Sequence, residues 1–501
     1  MEGRVIFIGD LLIAHGLISR ADVSAALSLQ RSKGGAIGAC LVELGKIDGA
    51  ALEALVEAAP APPHTIAETG LSLSDVLNLA IKAMYVSGEA TPSMISDTLK
   101  LAPSAIQEML EEAEERRLVI VLGTAILRGV SELRYALSEK GAQWAQDAMR
   151  QSQYVGPAPV TLDAYRERIG RQRIGQERVD QAAIDEAFGD LVISKNLARE
   201  IGPAINSGRS ILLYGPPGNG KTSIGERIGG LFREIVYVPH CFEVDGQIIK
   251  VFDPGVHKPV IDEADSLGGA ASLLRDQTDP RWEACWRPLV ITGGELTLEM
   301  LDLSFNSEAK FYEAPAHVKA LGGVFMIDDF GRQLVSPTAL LNRWIVPMEN
   351  RVDYLRVHTG KTFSLPFDEL VIFCTNLSPS ALMDQAFLRR IPYKIEMCGP
   401  SVSEFREVFR RVSLEAGLEM PERLIDYVIA DLTERRKFPL ASYQPKFIVD
   451  QVKAACRFEG VETQLRPEFI TMALSNLYTK DSLGPSGTSA MNHTMSAARA
   501  A

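Results

Sequence analysis

The sequence predicts a multidomain chain. A helical N-terminal repeat comes first, then a small domain of helices closed by a strand hairpin, an α/β core, and an all-helical closing segment. Three observations carry this. Apolar positions near the start recur at a constant offset. From about residue 160 to 398, apolar runs of strand length alternate with helical periods around a glycine-rich loop. From 399 onward only the helical period continues. The length agrees: 501 residues exceed one core, and roughly three or four domains are expected.

The repeat spans residues 1–60. Ile8-Gly9 recurs as Ile37-Gly38, Leu12 as Leu41, Gly16 as Gly45 and Ile18 as Ile47, an offset of 29 residues throughout. Val23, Ala26 and Leu27 recur as Leu52, Leu55 and Val56. Each unit reads as a helix stopped by glycine and followed by a second short helix, and two such units can bury a shared face.

A Pro/Ala linker at 59–63 leads to the second domain, residues 66–155. Its order is a helix, a turn at Gly88-Glu89-Ala90, a helix from Ser93, a helix from about Pro103, strands at Leu118–Leu122 and Leu133–Leu137, and a closing helix at Lys140–Gln151. That is winged-helix order. The helix in the recognition position runs from Ala105 to Arg117 and sets five glutamates against two arginines. Phosphate repulsion argues against DNA and for a protein partner.

A second linker, Gly156–Pro159, opens the α/β domain at 160–398. Strands are expected at Ile211–Tyr214, Ile235–Val238, Leu289–Thr292, Val324–Ile327 and Leu370–Thr375, forming a parallel sheet. The first of these runs into Gly215-Pro216-Pro217-Gly218-Asn219-Gly220-Lys221-Thr222-Ser223, a G-x-x-x-x-G-K-T motif between a strand and a helix. Gly215, Gly218 and Gly220 permit a tight turn whose N–H groups converge on one anion, and the following helix adds its positive end. Lys221 is placed to reach the β- and γ-phosphates of a nucleoside triphosphate, and Thr222 to give its hydroxyl to Mg²⁺.

About a hundred residues later (order of magnitude for such cores), Val324–Ile327 ends in Asp328 and Asp329. Asp328 is expected to hold the metal through water, and Asp329 to orient the attacking water as base. Val371–Thr375 ends in Asn376, which could position that water. Ala386-Phe387-Leu388-Arg389-Arg390 places two guanidiniums at a helix end, suited to neutralising a γ-phosphate in trans. Arg332 reads as a second trans contact or a salt-bridge partner. Asp279–Trp282 and Trp286–Pro288 read as one tryptophan-rich loop, either a contact surface or a packed structural loop.

Taken together, these motifs resemble the AAA+ ATPases over about residues 165–480. The resemblance implies ATP and Mg²⁺ as cofactors, a helical lid at 399–480 with Lys446 of Gln444-Pro445-Lys446-Phe447 as the γ-phosphate sensor, a ring of identical subunits, and Arg389 or Arg390 as the finger. AAA+ proteins usually carry Glu where this chain has Asp329. A hairpin read at Val352–Val357 and Phe363–Leu365 resembles the MoxR-like branch. The N-terminal repeat, at 7–30 and 36–59, resembles the N-terminal domain of type II secretion and type IV pilus ATPases. In its tandem form that domain binds cyclic di-GMP. The family's opening Arg is Phe7 and Ala36 here, and its terminal Gln is kept as Gln30 but replaced by Ala59.

A net charge of −12 gives no general attraction to nucleic acid or anionic membrane. Six scattered cysteines lack metal-ligand spacing and read as buried thiols in a reducing compartment, and the seven histidines lack ligand spacing too. No apolar run nears the ~18 residues of a membrane span. A cytoplasmic protein is expected, with a tail at 481–501 that is rich in Ser, Ala, Gly and Thr and expected to be disordered. The leading expectation is an ATP-hydrolysing machine that remodels a protein client, linked to secretion, pilus or envelope machinery. The alternative is an ATP-controlled regulator that senses a ligand or binds DNA through its N-terminal domains.

Overall fold

The computed structural model describes residues 18–33, 37–48, 59–127, 130–260, 278–382, 385–418 and 420–477. Phe7, Ala36, the second short helix of the repeat and the 481–501 tail lie outside the described residues. The chain forms two compact units. One is drawn from residues 1–178, 232–326 and 334–370; the other from 179–231, 327–333 and 371–501.

In the first unit, α1 (Arg20–Lys33) and α2 (Ile37–Glu43) belong to the repeat. Ser19 and Asp22 cap α1 reciprocally: the Asp22 amide donates to Ser19 Oγ, and the Ser19 amide to Asp22 Oδ2 at 2.9 Å. Gly45 follows α2 with φ 65°, letting the Lys46 amide turn back to the Leu41 carbonyl.

The next segment runs α3 (Leu73–Ser87), β1 (Glu89–Ala90), α4 (Pro92–Leu99), α5 (Pro103–Glu115), β2 (Val119–Leu127), β3 (Val130–Leu137) and α6 (Glu139–Gln151). Local sequence sets the helix starts. Ser72, Thr91 and Ser138 accept the amide three residues on, and Pro92 and Pro103 occupy first turns, where no N–H is required. The strands order as β1-β3-β2 with antiparallel pairing. Leu77, Ile81, Ile106, Leu110 and Tyr135 share one core. The hairpin is longer than its apolar runs suggested, because Gly123 and Thr124 continue the ladder across a bulge.

The rest of the first unit holds a five-stranded sheet in the order Ser304–Asn306, Phe311–Glu313, Gln247–Lys250, Cys241–Val244, Val160–Thr161. Two expectations are corrected. Ile235–Pro239 pairs antiparallel with Trp282–Trp286 and is not part of a parallel sheet. The tryptophans therefore sit on a strand rather than a loop, and the arginines beside them are structural. Arg281 forks onto Asp279 and reaches the carbonyls of Thr69 and Pro159. Arg287 donates to Glu177 at 2.7 Å, Glu234 at 2.8 Å, and the carbonyls of Gln172 and Gly322. The hairpin Val352–Arg356 and Thr362–Pro366 forms as expected.

In the second unit, Ile211–Tyr214 lies between Leu370–Thr375 and Tyr393–Glu396, parallel to both. Leu370–Thr375 is buried along its whole length, as befits a parallel strand covered on both faces. The last strand, which follows Pro392, was not foreseen. Beyond it come helices Val402–Glu415, Glu422–Ala430, Tyr443–Glu459 and Pro467–Asn476, packed around Phe405, Phe409, Ile425, Ile448 and Phe469. All six cysteines are free. Five are buried, but Cys398 is exposed, which corrects the expectation that every thiol is buried. No helix among the described residues is long and apolar enough to cross a membrane.

Candidate nucleotide-binding site

The glycine-rich loop lies in the second unit between the buried strand Ile211–Tyr214 and the helix Lys221–Gly229. Gly215 and Gly218 have φ of 137° and 81°, a region that costs a side chain dearly. A Cβ on Gly215 would stand 2.6 Å from the Met397 carbonyl oxygen, and one on Gly218 only 2.2 Å from Cδ1 of Tyr443. Pro216, Pro217, Gly218 and Ser223 are exposed, while Asn219 and Lys221 are buried.

Lys221 folds its ammonium into this loop, donating to the carbonyls of Gly215 at 2.9 Å and Pro216 at 2.8 Å. Burial holds its pKa below the usual lysine range, and Asp328 and Asp329 act in the opposite sense. Thr222 Oγ1 donates to Asp328 Oδ2 at 2.9 Å. Two hard oxygens this close suit Mg²⁺, which keeps several waters and takes further ligands from phosphate. Among the described residues, no group of three or more His, Cys, Asp or Glu could hold a metal ion.

The acidic pair is held from several sides. Asp328 Oδ1 accepts the Asp329 amide at 2.9 Å, and Asp329 adopts φ 48°, a left-handed conformation uncommon for Asp. Asn376 Nδ2 donates to Asp329 Oδ1 at 3.0 Å. Thr375 Oγ1 donates to the Phe330 carbonyl, and the Phe330 amide to the Cys374 carbonyl. Gln333 ties the turn: its amide donates to the Asp328 carbonyl at 2.9 Å, and its oxygen accepts the Gly331 amide at 2.7 Å. Gln333 was not singled out from the sequence, where it reads as an ordinary polar residue after a turn.

The helical segment touches the loop directly. The Tyr443 amide donates to the Gly218 carbonyl at 3.0 Å. Asn219 bridges, its Oδ1 accepting the Ser442 amide and its Nδ2 donating to Met397. Tyr443 was also missed, since nothing in Ser442-Tyr443-Gln444 marks it as a loop contact. Lys446 lies one turn further along. It is exposed and paired with Asp450 at 3.4 Å. Arg389 is exposed and Arg390 half-buried, just past the short helix Gln385–Leu388. Arg332 is exposed and forms no salt bridge among the described residues. The structure thus links Thr222, Asp328, Asp329 and Asn376 by hydrogen bonds, with Lys221 bonded to the loop carbonyls instead and Lys446 and the two arginines outside the linked set.

Residues 401–476 match a family model described as a domain of unknown function, DUF8689. A search of curated proteins found no match. Among solved structures, the chain is similar to the Thermotoga maritima RuvB Holliday junction branch migration motor, at 15% identity and a TM-score of 0.31, over 61% of this chain and 72% of that one. It is also similar to domain III of the Thermotoga maritima replication initiation protein DnaA, at 12% identity and a TM-score of 0.33, over 60% and 98%. NtrX from Brucella abortus aligns at 10% identity and a TM-score of 0.32, over 72% and 59%.

Proposed function

We propose that this chain is a Mg²⁺-dependent ATP hydrolase of the AAA+ type that works on a protein partner. The observation that carries the reading is the hydrogen bond between Thr222 and Asp328, which joins the two motifs that would share one Mg²⁺. Bound MgATP would replace the internal bonds of Lys221, and the loop amides with the helix N-terminus would cradle its phosphates. In this reading Asp329 is the base and Asn376 orients the water. Lys446 senses the γ-phosphate after leaving Asp450. Arg389, the more exposed arginine, acts in trans within a ring. The Val352–Pro366 hairpin supports the MoxR-like branch. The 66–155 segment, with strand order β1-β3-β2 and a helix before the hairpin, supports a winged helix serving as a protein-docking module. The 1–60 repeat recruits in the same way. Cyclic di-GMP binding and a DNA-bound regulator are set aside, because Phe7 and Ala36 replace the arginines and five glutamates lie on Ala105–Arg117.

The test is turnover and capture with Asp329→Asn. The variant should bind ATP, fail to release phosphate, and retain a client in affinity capture when ATP is present. Normal phosphate release by the variant would remove the base assignment, and capture of nothing beyond the chain itself would remove the remodelling role.

A further inference from the structure

We propose that the outer edge of β2 accepts an extended, lysine- or arginine-bearing segment of a partner protein as an added strand. β2 ends its sheet, so one row of backbone N–H and C=O groups faces outward. Its nine residues include no charge and no proline, the devices that ordinarily blunt such an edge. Ile120 and Val121 are each 49% exposed, Leu122 41%, and Leu133 on β3 43%. The bulge between Val121 and Gly123 leaves Leu122 without an opposite residue, which is why consecutive apolar side chains are presented.

Charge selects the occupant. Glu111, Glu114 and Glu115 on α5 are exposed. Burial raises the pKa of the Tyr135 hydroxyl, and the nearby carboxylates of Glu114 and Glu111 raise it further. α5 ends at Glu115 and β2 begins at Val119, so these carboxylates stand near the head of the edge strand. Two copies paired through β2 would bring both acidic helices together, and nucleic acid would meet the same repulsion. A strand with alternating basic and apolar residues satisfies the backbone, the apolar side chains and the carboxylates together.

This deepens the docking role proposed for the domain and does not depend on ATP. The probe is a fluorescein-labelled peptide of alternating lysine and valine, titrated into the full chain by anisotropy at low ionic strength. Saturable binding is expected, with affinity about tenfold weaker for Val121→Lys and for Glu111→Lys/Glu114→Lys. A glutamate–valine peptide should not bind, and amide exchange over 119–124 should slow with the lysine peptide. Lys221→Ala should bind it as the parent does, which separates this site from the nucleotide reading. Circular dichroism confirms that each variant is folded. Unchanged affinity in Val121→Lys or unslowed exchange at β2 overturns the proposal. So does a self-association that Val121→Lys abolishes, or tighter binding of duplex DNA at the same edge.

Discussion

Asn376 holds Asp329 through a 3.0 Å hydrogen bond from its side-chain amide to the carboxylate. The bond fixes the carboxylate at the end of one strand against the residue that closes its neighbour. In the ATPase reading it aims the base, and the same amide then faces the water. Asn376→Ala should leave ATP affinity nearly unchanged and reduce kcat roughly a hundredfold, the scale of a lost acid–base contact. Steady-state phosphate release read beside an equilibrium nucleotide titration checks this. A rise in KM with kcat preserved would place Asn376 in binding instead.

Gly218 has no room for a side chain. Its φ of 81° and the Tyr443 ring 2.2 Å from an added Cβ both oppose Gly218→Ala. The variant should lose about 1–3 kcal/mol and loosen Tyr443–Glu459 from the loop. Tyr443→Ala in the same chain should recover the steric part and leave the backbone part. Chemical denaturation of the single and double variants measures both, and complete additivity would deny the contact.

Arg389 and Arg390 differ in exposure, and that difference predicts different failures. Arg389→Ala should fold normally and lose turnover when the subunits are assembled. Mixing it with Lys221→Ala subunits should restore some activity, because each supplies what the other lacks. Arg390→Ala should instead lower the melting temperature. Rescue of Arg390→Ala, and not of Arg389→Ala, would exchange the roles.

Glu283 and His240 form a buried pair in which burial disfavours the charged form of each. Burial raises Glu283 from 4.5 to about 7 and depresses His240 from 6.5 to about 4, with Glu283 Oε2 3.7 Å from His240 Nε2. A carboxyl that titrates higher in the fold than in the unfolded chain binds more protons when folded. Its contribution therefore favours folding at low pH and is lost as pH rises from 4.5 to about 7. Glu283→Gln should be more stable than the parent above pH 7, by about 1–3 kcal/mol, with the gain shrinking toward pH 4.5. Melting curves across pH decide it; a gain independent of pH would contradict the burial argument.

Arg287 is 2% exposed and meets Glu177, itself 9% exposed. Arg287→Ala would strand a buried carboxylate and should cost about 3–5 kcal/mol, seen as a lowered denaturation midpoint. A loss within error would mean that water replaces the guanidinium.

Local patterns were legible and distant pairings were not. The loop at Gly215–Thr222, the apolar run before Asp328 and the glycine-containing turn of the Val352–Pro366 hairpin are written in consecutive residues. The pairing of Ile235–Pro239 with Trp282–Trp286 joins segments more than forty residues apart, and no local period encodes it. Tyr393–Glu396 is only four residues long, too short for its apolar–polar alternation to stand out from the flanking loops. One signal was available and unused. Asp245-Gly246 between apolar runs is a hairpin turn, and both residues adopt positive φ, 58° and 75°. The roles of Gln333 and Tyr443 depend on neighbours that only the fold supplies.

The central claim is that Gly215–Thr222 and Asp328 form a site for MgATP. Calorimetric titration of MgATP into the parent chain and into Lys221→Ala tests it most directly. The account predicts saturable binding by the parent, dependent on Mg²⁺, and none by the variant. Equal binding by both chains, or no binding by the parent, would contradict it.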